Sequence, residues 1–228
     1  EKGRLFDIVA QDCDGIVAGL YENFVCCQPK YGEKLHYIPF PIDLGKAGEH
    51  TMPHNLRAGD APISFFIGIQ RSRSAYKGTD VMLRALEKLK AKHPDRVHIV
   101  KAESVPFGQY CQMMDESQVL LDQLYSYTPA MNALLAMSKG IVVVGGGEEE
   151  HYRLLGESEL RPIVNVQPSE ASVMDEIEQR ILARRDDLAR LSRESIEYVR
   201  RHHDHIRVAE RYLEAWSCGL ARRRPDDN

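Results

Sequence analysis

Residues 118–150, QVLLDQLYSYTPAMNALLAMSKGIVVVGGGEEE, limit the folds open to this chain more than any other stretch. Residues 119–124 are apolar enough for a strand buried on both faces. Ser126, Thr128 and Pro129 then stop the strand and start a helix, with Thr128 able to cap it and Pro129 suited to its first position. Residues 130–138 are strong helix formers, and Gly140 stands where a helix ends. Residues 141–144 are a second, β-branched strand, and Gly145-Gly146-Gly147 follows at once. Two near-continuous apolar strands joined by one helix make a right-handed βαβ unit of a parallel sheet. Ligands of such sheets bind at the carboxyl ends of the strands. Residues 125–132 and 145–150 both fall at that edge, which is the expected site.

Reading outward from this unit, the chain alternates strands and helices. Residues 4–13 have helical spacing, 15–20 are a short buried strand, 21–29 a short helix or turn, and 34–42 an extended run whose prolines bar it from a central ladder along its whole length. That is one β-α-β fragment, too little sheet for a domain. Residues 43–62, rich in Gly and Pro, read as a linker. Residues 63–69 open a new sheet, 70–78 form a loop, and Thr79 is an N-cap candidate for the amphipathic helix 80–93. Strands 97–100 and 162–166, short helices 107–114 and 148–155, a long apolar helical stripe from Ser169 and a final helix 206–220 complete the pattern. The fold class is α/β, a Rossmann-like doubly wound parallel sheet with a βαβ remnant of a preceding domain. The expected units are 1–50, 51–205 and 206–228.

Composition excludes several classes. With 43% hydrophobic and 28% charged residues, 228 residues make one large domain or one domain plus a piece. The net charge of −4 gives no overall attraction to nucleic acid. No apolar run reaches membrane-span length and no signal peptide is present. Five cysteines without CxxC or zinc spacing point to a reducing, cytoplasmic location. Glu1, rather than Met, at position 1 points to a piece of a longer protein.

Three segments carry chemistry. Residues 68–78, GIQRSRSAYKG, follow a strand and precede a helix N-terminus, where amide groups and the helix dipole favour anions. Gly68 allows close backbone approach, and Arg71, Arg73 and Lys77 can reach one phosphate. The loop is not a Walker motif, and the plain alternative is a solvated basic loop. Residues 126–132 offer a second helix N-terminus, with Thr128 and Asn132 as polar contacts; the alternative is an ordinary βα connection. In 145–150, glycines let a ligand lie against the main chain, and Glu149 or Glu150 can accept sugar hydroxyls. The alternative there is a turn followed by acids that suit a helix start. Arg201-His202-His203-Asp204-His205 looks like a metal cluster but lacks a second ligand group, so a solvated kink is the better reading. Arg222-Arg223-Arg224 reads as solvated tail.

Taken in order, these residues resemble the C-terminal half of GT-B, group 1 type glycosyltransferases, which use nucleotide-sugar donors. FFIG, a basic loop and KGTDVMLRALEKL are similar to that family's G-R-…-K-G-x-x-x-L-L-x-A, and LLAMSKGIVVVGGGEE to its E-A-M-A-x-G-x-P-V-V-…-G-G-x-x-E. DGIVAGLYENFV and KLHYIPFPIDL resemble the end of the family's N-terminal domain and its hinge strand, and the helix with Trp216 resembles its closing helix.

The resemblance implies a donor-binding domain of 51–205, with 1–50 as remnant of the acceptor domain plus hinge and 206–228 crossing back. It implies catalytic roles for Arg71 and Lys77, which would bind the pyrophosphate and stabilise charge on the departing group without a metal. It implies nucleotide-sugar contacts at Gly68, Arg73, Tyr127, Thr128, Met131, Asn132, Gly146, Gly147, Glu149 and Glu150. The partners implied are a nucleotide diphosphate sugar and a hydroxyl acceptor, a glycan or lipid-linked glycan, in bacterial polysaccharide biosynthesis. No cofactor and no nucleic acid is implied, and membrane association only through regions outside this chain. Two departures stand out: Ile69 and Gln70 break the family's Gly-Arg adjacency, and its paired glutamates fall at Tyr127 and Leu135. A nucleotide-sugar epimerase of the same architecture and a non-catalytic Rossmann-like binding module remain alternatives.

Overall fold

The β-branched and aromatic runs form strands, and the amphipathic runs between them form helices. The structure, a computed structural model, describes residues 2–47 and 61–222. Its first unit holds α1 (Lys2–Asp12), β1 (Ile16–Ala18), α2 (Tyr21–Tyr31), β2 (Leu35–Tyr37) and a short α3 (Leu44–Ala47). β1 and β2 pair in parallel, Ile16 opposite Leu35, and Ala18, Tyr31 and Leu35 form their small core. Prolines and the crossover limit the second strand to three residues of the extended run 34–42.

The second unit follows as β3 (Ile63–Ile69), α4 (Ser74–Lys77), α5 (Thr79–Lys92), β4 (Val97–Glu103), α6 (Phe107–Asp115), β5 (Val119–Leu121), α7 (Met131–Ser138), β6 (Val142–Gly145), α8 (Glu149–Leu155), β7 (Val164–Asn165), α9 (Glu170–Glu176), α10 (Asp187–His202) and α11 (His205–Arg222). The five strands form one parallel sheet in the order β4-β3-β5-β6-β7. Alternate side chains go to opposite faces. Phe65, Ile67, Leu121 and Val144 pack on one face with Met82, Leu86 and Leu89 of α5 and Val173 of α9. Phe66, Leu120 and Val143 pack on the other with Met114 of α6, Leu134 and Met137 of α7, and Tyr198 of α10. Because β4 and β5 lie on opposite sides of β3, the strand order reverses there. The carboxyl ends of these strands flank the switch point at which open α/β sheets bind ligands.

Several sequence expectations shift. The strand expected at 119–124 ends at Leu121, because Leu124 turns away to donate its N–H to the Lys77 carbonyl at 2.8 Å. Thr128 does not cap α7 and Pro129 is not its first residue; Ala130 holds the cap position without a side-chain bond. Thr79 is not a cap either. Gly78, at φ +70°, occupies that position, and the Thr79 hydroxyl bonds Ser74 Oγ at 2.9 Å. Residues 70–78 are not plain loop but a 3-10 turn, Arg71–Arg73, followed by α4. The stripe from Ser169 is broken by a π-helical segment, Ile177–Leu182, closed by the Ala183 N–H on the Glu178 carbonyl at 2.8 Å.

The break at residues 201–205 is present but not solvated. His202 and His203 are 6% and 1% exposed, because the chain entering the second unit crosses over them. Ile42 N–H donates to the His203 carbonyl at 2.6 Å and His205 N–H to the Ile42 carbonyl at 3.1 Å. From this clip α11 runs back over the first unit, burying Val208 and Ala215 against Ile38 and Val17. No helix among the described residues is long and apolar enough to cross a membrane. Residues 48–60 of the expected linker, and the tail beyond Arg222, lie outside the described residues.

Candidate functional site

A cavity of about 640 Å³ opens at the carboxyl ends of β4, β3 and β5. Its walls come from three chain reversals. From the end of β3 and the turn after it come Gly68, Arg71 and Lys77; after β4, Ser104, Phe107 and Tyr110; after β5, Asp122, with Asn132 from the second position of α7. Asn132 also brings the N-terminal end of α7, the positive end of its dipole, to the wall.

Gly68 is glycine for a packing reason. A Cβ there would stand 2.6 Å from the Tyr110 hydroxyl, so the phenol lies directly across the end of β3. Tyr110 packs edge-on against Phe66, with ring centroids 4.9 Å apart, and nearly parallel to Phe107 at 6.4 Å. Its hydroxyl donates to Asn132 Oδ1 at 2.9 Å, and Asn132 Nδ2 donates to Asp122 Oδ1 at 3.3 Å. Burial pushes the Tyr110 phenol up to about 12, which keeps it a donor at neutral pH.

The cations differ in how they are held. The Arg71 guanidinium is largely exposed at the mouth and bonds Glu103, which Lys101 also approaches at 3.2 Å. The bond from Arg71 is the main influence holding the Glu103 carboxyl below its ordinary value. Lys77 is half-buried, and its backbone is fixed by the Leu124 N–H. The left-handed Gly78 makes that turn, and any Cβ on it would strike Leu124 Cβ at 2.6 Å. Asp122 is 9% exposed. Burial raises its carboxyl above the ordinary value, against the Asn132 bond and the nearby Lys77 charge.

Of the residues named from sequence, Gly68, Arg71, Lys77 and Asn132 meet in this cavity, and the others lie outside its wall. Arg73 sits over the Tyr76 ring at 5.6 Å. Tyr127 rests against the Tyr21 ring at 5.4 Å, and Met131 is exposed. Thr128 faces the first unit: its hydroxyl accepts the Tyr21 N–H at 3.1 Å and donates to Glu22 at 2.8 Å, while Ser126 Oγ donates to Glu22 at 2.6 Å.

The glycine loop follows β6, beyond the cavity. Gly146 lies against the Ser126 carbonyl, Gly147 N–H donates to Asn165 Oδ1 at 3.0 Å, and Glu149 pairs with Arg161 at 2.8 and 3.0 Å. Glu150 borders a separate groove beside Tyr21 and Phe24. Leu135, half-buried, packs into the core on the α7 face. Sequence reasoning missed Asp122 and Tyr110. The signal available for Asp122 was an acid directly after three apolar strand residues, at the edge where ligands bind.

Among the described residues no group of three or more His, Cys, Asp or Glu is placed to hold a metal ion. The histidines near residue 202 serve packing instead. His202 Nε2 meets Glu157 at 2.7 Å, and His203 Nδ1 donates to the Phe40 carbonyl at 2.8 Å.

No family model and no curated protein sequence matches the chain. Solved structures do. A glycosyltransferase from Rickettsia africae superposes over 95% of this chain and 67% of its own, with TM-score 0.63 and 13% identity. Anabaena HepE in complex with UDP superposes over 93% of this chain and 66% of its own, with TM-score 0.66 and 14% identity. Sucrose-phosphate synthase from Thermosynechococcus elongatus covers 97% of this chain, which spans 62% of that enzyme, with TM-score 0.61 and 17% identity. The chain thus spans about two thirds of the length of these structures. These likenesses show the fold: a Rossmann-like parallel α/β sheet arranged as in GT-B glycosyltransferase structures.

Proposed function

We propose that this chain is the donor-binding part of a glycosyltransferase, one that moves a sugar from a nucleotide diphosphate sugar to a hydroxyl acceptor. One observation carries the reading. Two cations, Arg71 and Lys77, and the N-terminal end of α7 converge on one cavity at the switch point of the sheet. The GT-B likeness supports it, as does the presence of UDP and glucose in the HepE structure. In the transfer, the bond from the sugar to the diphosphate breaks and negative charge gathers on the leaving phosphate. A half-buried ammonium and a guanidinium already in place lower that barrier without reorganising solvent.

The acceptor is proposed to be a hydroxyl of a glycan or lipid-linked glycan in bacterial surface polysaccharide synthesis. The first unit would form the foot of the wall that receives it. The five cysteines, all unpaired, suit a reducing cytoplasm. One observation favours a second reading, a non-catalytic nucleotide-binding module: Leu135 is packed into the core and Tyr127 stacks on Tyr21, so neither offers a carboxylate to a donor.

Calorimetry with UDP and GDP tests donor binding. Lys77→Ala is expected to weaken the better nucleotide by about 10- to 100-fold, the worth of one charge-assisted bond to phosphate. No binding at millimolar nucleotide, and no NMR shift at Lys77 or Asn132, would rule the reading out. Turnover by a longer protein containing this chain then separates the classes. A transferase releases the sugar from its nucleotide, an epimerase leaves it attached, and a binding module consumes none.

A further inference from the structure

We infer that Asp122 is the residue by which this cavity selects a ribonucleotide, accepting a hydrogen bond from a ribose hydroxyl. The inference rests on the donor-site reading above and adds the group that reads the nucleoside.

Among the described residues Asp122 is the only acid in the cavity wall. It sits at the carboxyl end of the central strand β5, more than nine-tenths buried, and makes no ion pair there. The one hydrogen bond it receives from a described residue is the long one from Asn132 at 3.3 Å. An ionised carboxylate has about four acceptor positions, and the protein fills one of them. A buried carboxylate so poorly supplied weakens a fold and strengthens the binding of any ligand that brings a donor.

The surroundings narrow the ligand. Asn132 cannot turn to satisfy Asp122 better, because its amide oxygen is held by the Tyr110 hydroxyl. The amide is therefore fixed with its nitrogen toward Asp122. Phosphate oxygens are acceptors with negative charge and are repelled by this carboxylate, so they go to Arg71 and Lys77. What Asp122 can take is a donor, such as a neutral hydroxyl. Beyond it, Phe107 and Tyr110 present nearly parallel rings, with Phe107 73% exposed and free to cover a flat heterocycle. One cavity thus offers cations, a hydroxyl acceptor and an aromatic surface. A nucleoside diphosphate carries the complement of all three, with the ribose diol between its phosphates and its base. Among the described residues no other carboxylate lines the cavity: Glu149 is tied to Arg161 and Glu22 to Ser126 and Thr128.

The test compares the tighter-binding of UDP and GDP with its 2′-deoxy and 3′-deoxy analogues, on the wild-type chain and on Asp122→Asn. The wild type is expected to prefer the ribonucleotide over at least one analogue by about 10-fold or more, the worth of a bond to a charged acceptor. Asp122→Asn is expected to bring that preference under about 3-fold while melting no lower than wild type, since it removes a buried charge. Asp122→Ser makes the same comparison should the amide not fold. A preference that is equal in wild type and variants, or absent from the wild type, overturns the inference while leaving the donor site standing. Failure of the wild type to bind any nucleotide overturns both.

Discussion

Gly146→Ala is expected to destabilise the protein by about 3 kcal/mol or more, lowering the melting temperature by roughly 6–12 °C. A Cβ on Gly146 would stand 1.7 Å from the Ser126 carbonyl oxygen and 2.6 Å from its carbon. Both are backbone atoms, so no rotamer change relieves the overlap. The loop that would have to move is tied on both sides. Leu124 N–H holds it to Lys77, and Ser126 and Thr128 hold it to Glu22. Asp122 and Asn132 flank that loop, so nucleotide affinity is expected to fall with stability. Gly156→Ala is the control: at φ +71° with open space around it, it carries backbone strain alone, about 1 kcal/mol. A Gly146→Ala protein that melts within about 2 °C of wild type would show that the two loops do not pack as described.

The second large effect is acid sensitivity well above the carboxylate range. His151 is fully buried between α8, α10 and β2, with Nε2 2.7 Å from the Tyr198 hydroxyl and Nδ1 3.4 Å from that of Tyr37. Burial, aided by the His202 charge, lowers its pKa to about 3. Burial likewise lowers His203 to about 3, against its bond to the Phe40 carbonyl and helped by His151, His202 and Arg211. Both are neutral in the folded protein, while the unfolded chain takes up two protons below the ordinary value of 6.5. Stability is therefore complete above 6.5 and declines as pH falls toward 3. At about pH 5 each histidine removes roughly 2 kcal/mol and the pair roughly 4 kcal/mol.

His202 moves in the same direction, lowered by burial and partly restored by Glu157. Glu157 acts in a lower window. Burial alone would raise its carboxyl, but bonds from His202 and from the Leu160 and Glu159 amides, together with Arg201, bring it down to about 2. Urea unfolding from about pH 7.5 to 5 should show an uptake of about two protons, and His151→Phe should remove one. A flat profile over that range would mean that these rings are hydrated.

What sequence revealed, and what it hid, divides along physical lines. The strands were legible because a strand buried on both faces must be apolar without interruption, as in ISFFIGI and IVVV. Arg71 and Lys77 were legible because position alone, after a strand and before a helix, brings a side chain to the sheet's ligand edge. The glycines were legible as glycines but not in their purpose. Whether a missing Cβ admits a ligand or a neighbouring carbonyl depends on what lies opposite, and for Gly146 that is Ser126, twenty residues back. Asp122 hid at the end of an apolar run that reads as strand through Leu124. His202 and His203 read as solvated because local sequence there is polar; a crossing segment about 160 residues earlier buries them.

The clip between Ile42 and the residues around Asp204 has a mechanical meaning. The backbone passes outward and returns through the same fastening, so both crossings between the units are held at one place, from which α11 runs back over the smaller unit. Glu22 adds a second tie, accepting from the Ser126 and Thr128 hydroxyls of the loop that leads to Asn132, and the Tyr37 hydroxyl a third, 3.4 Å from His151.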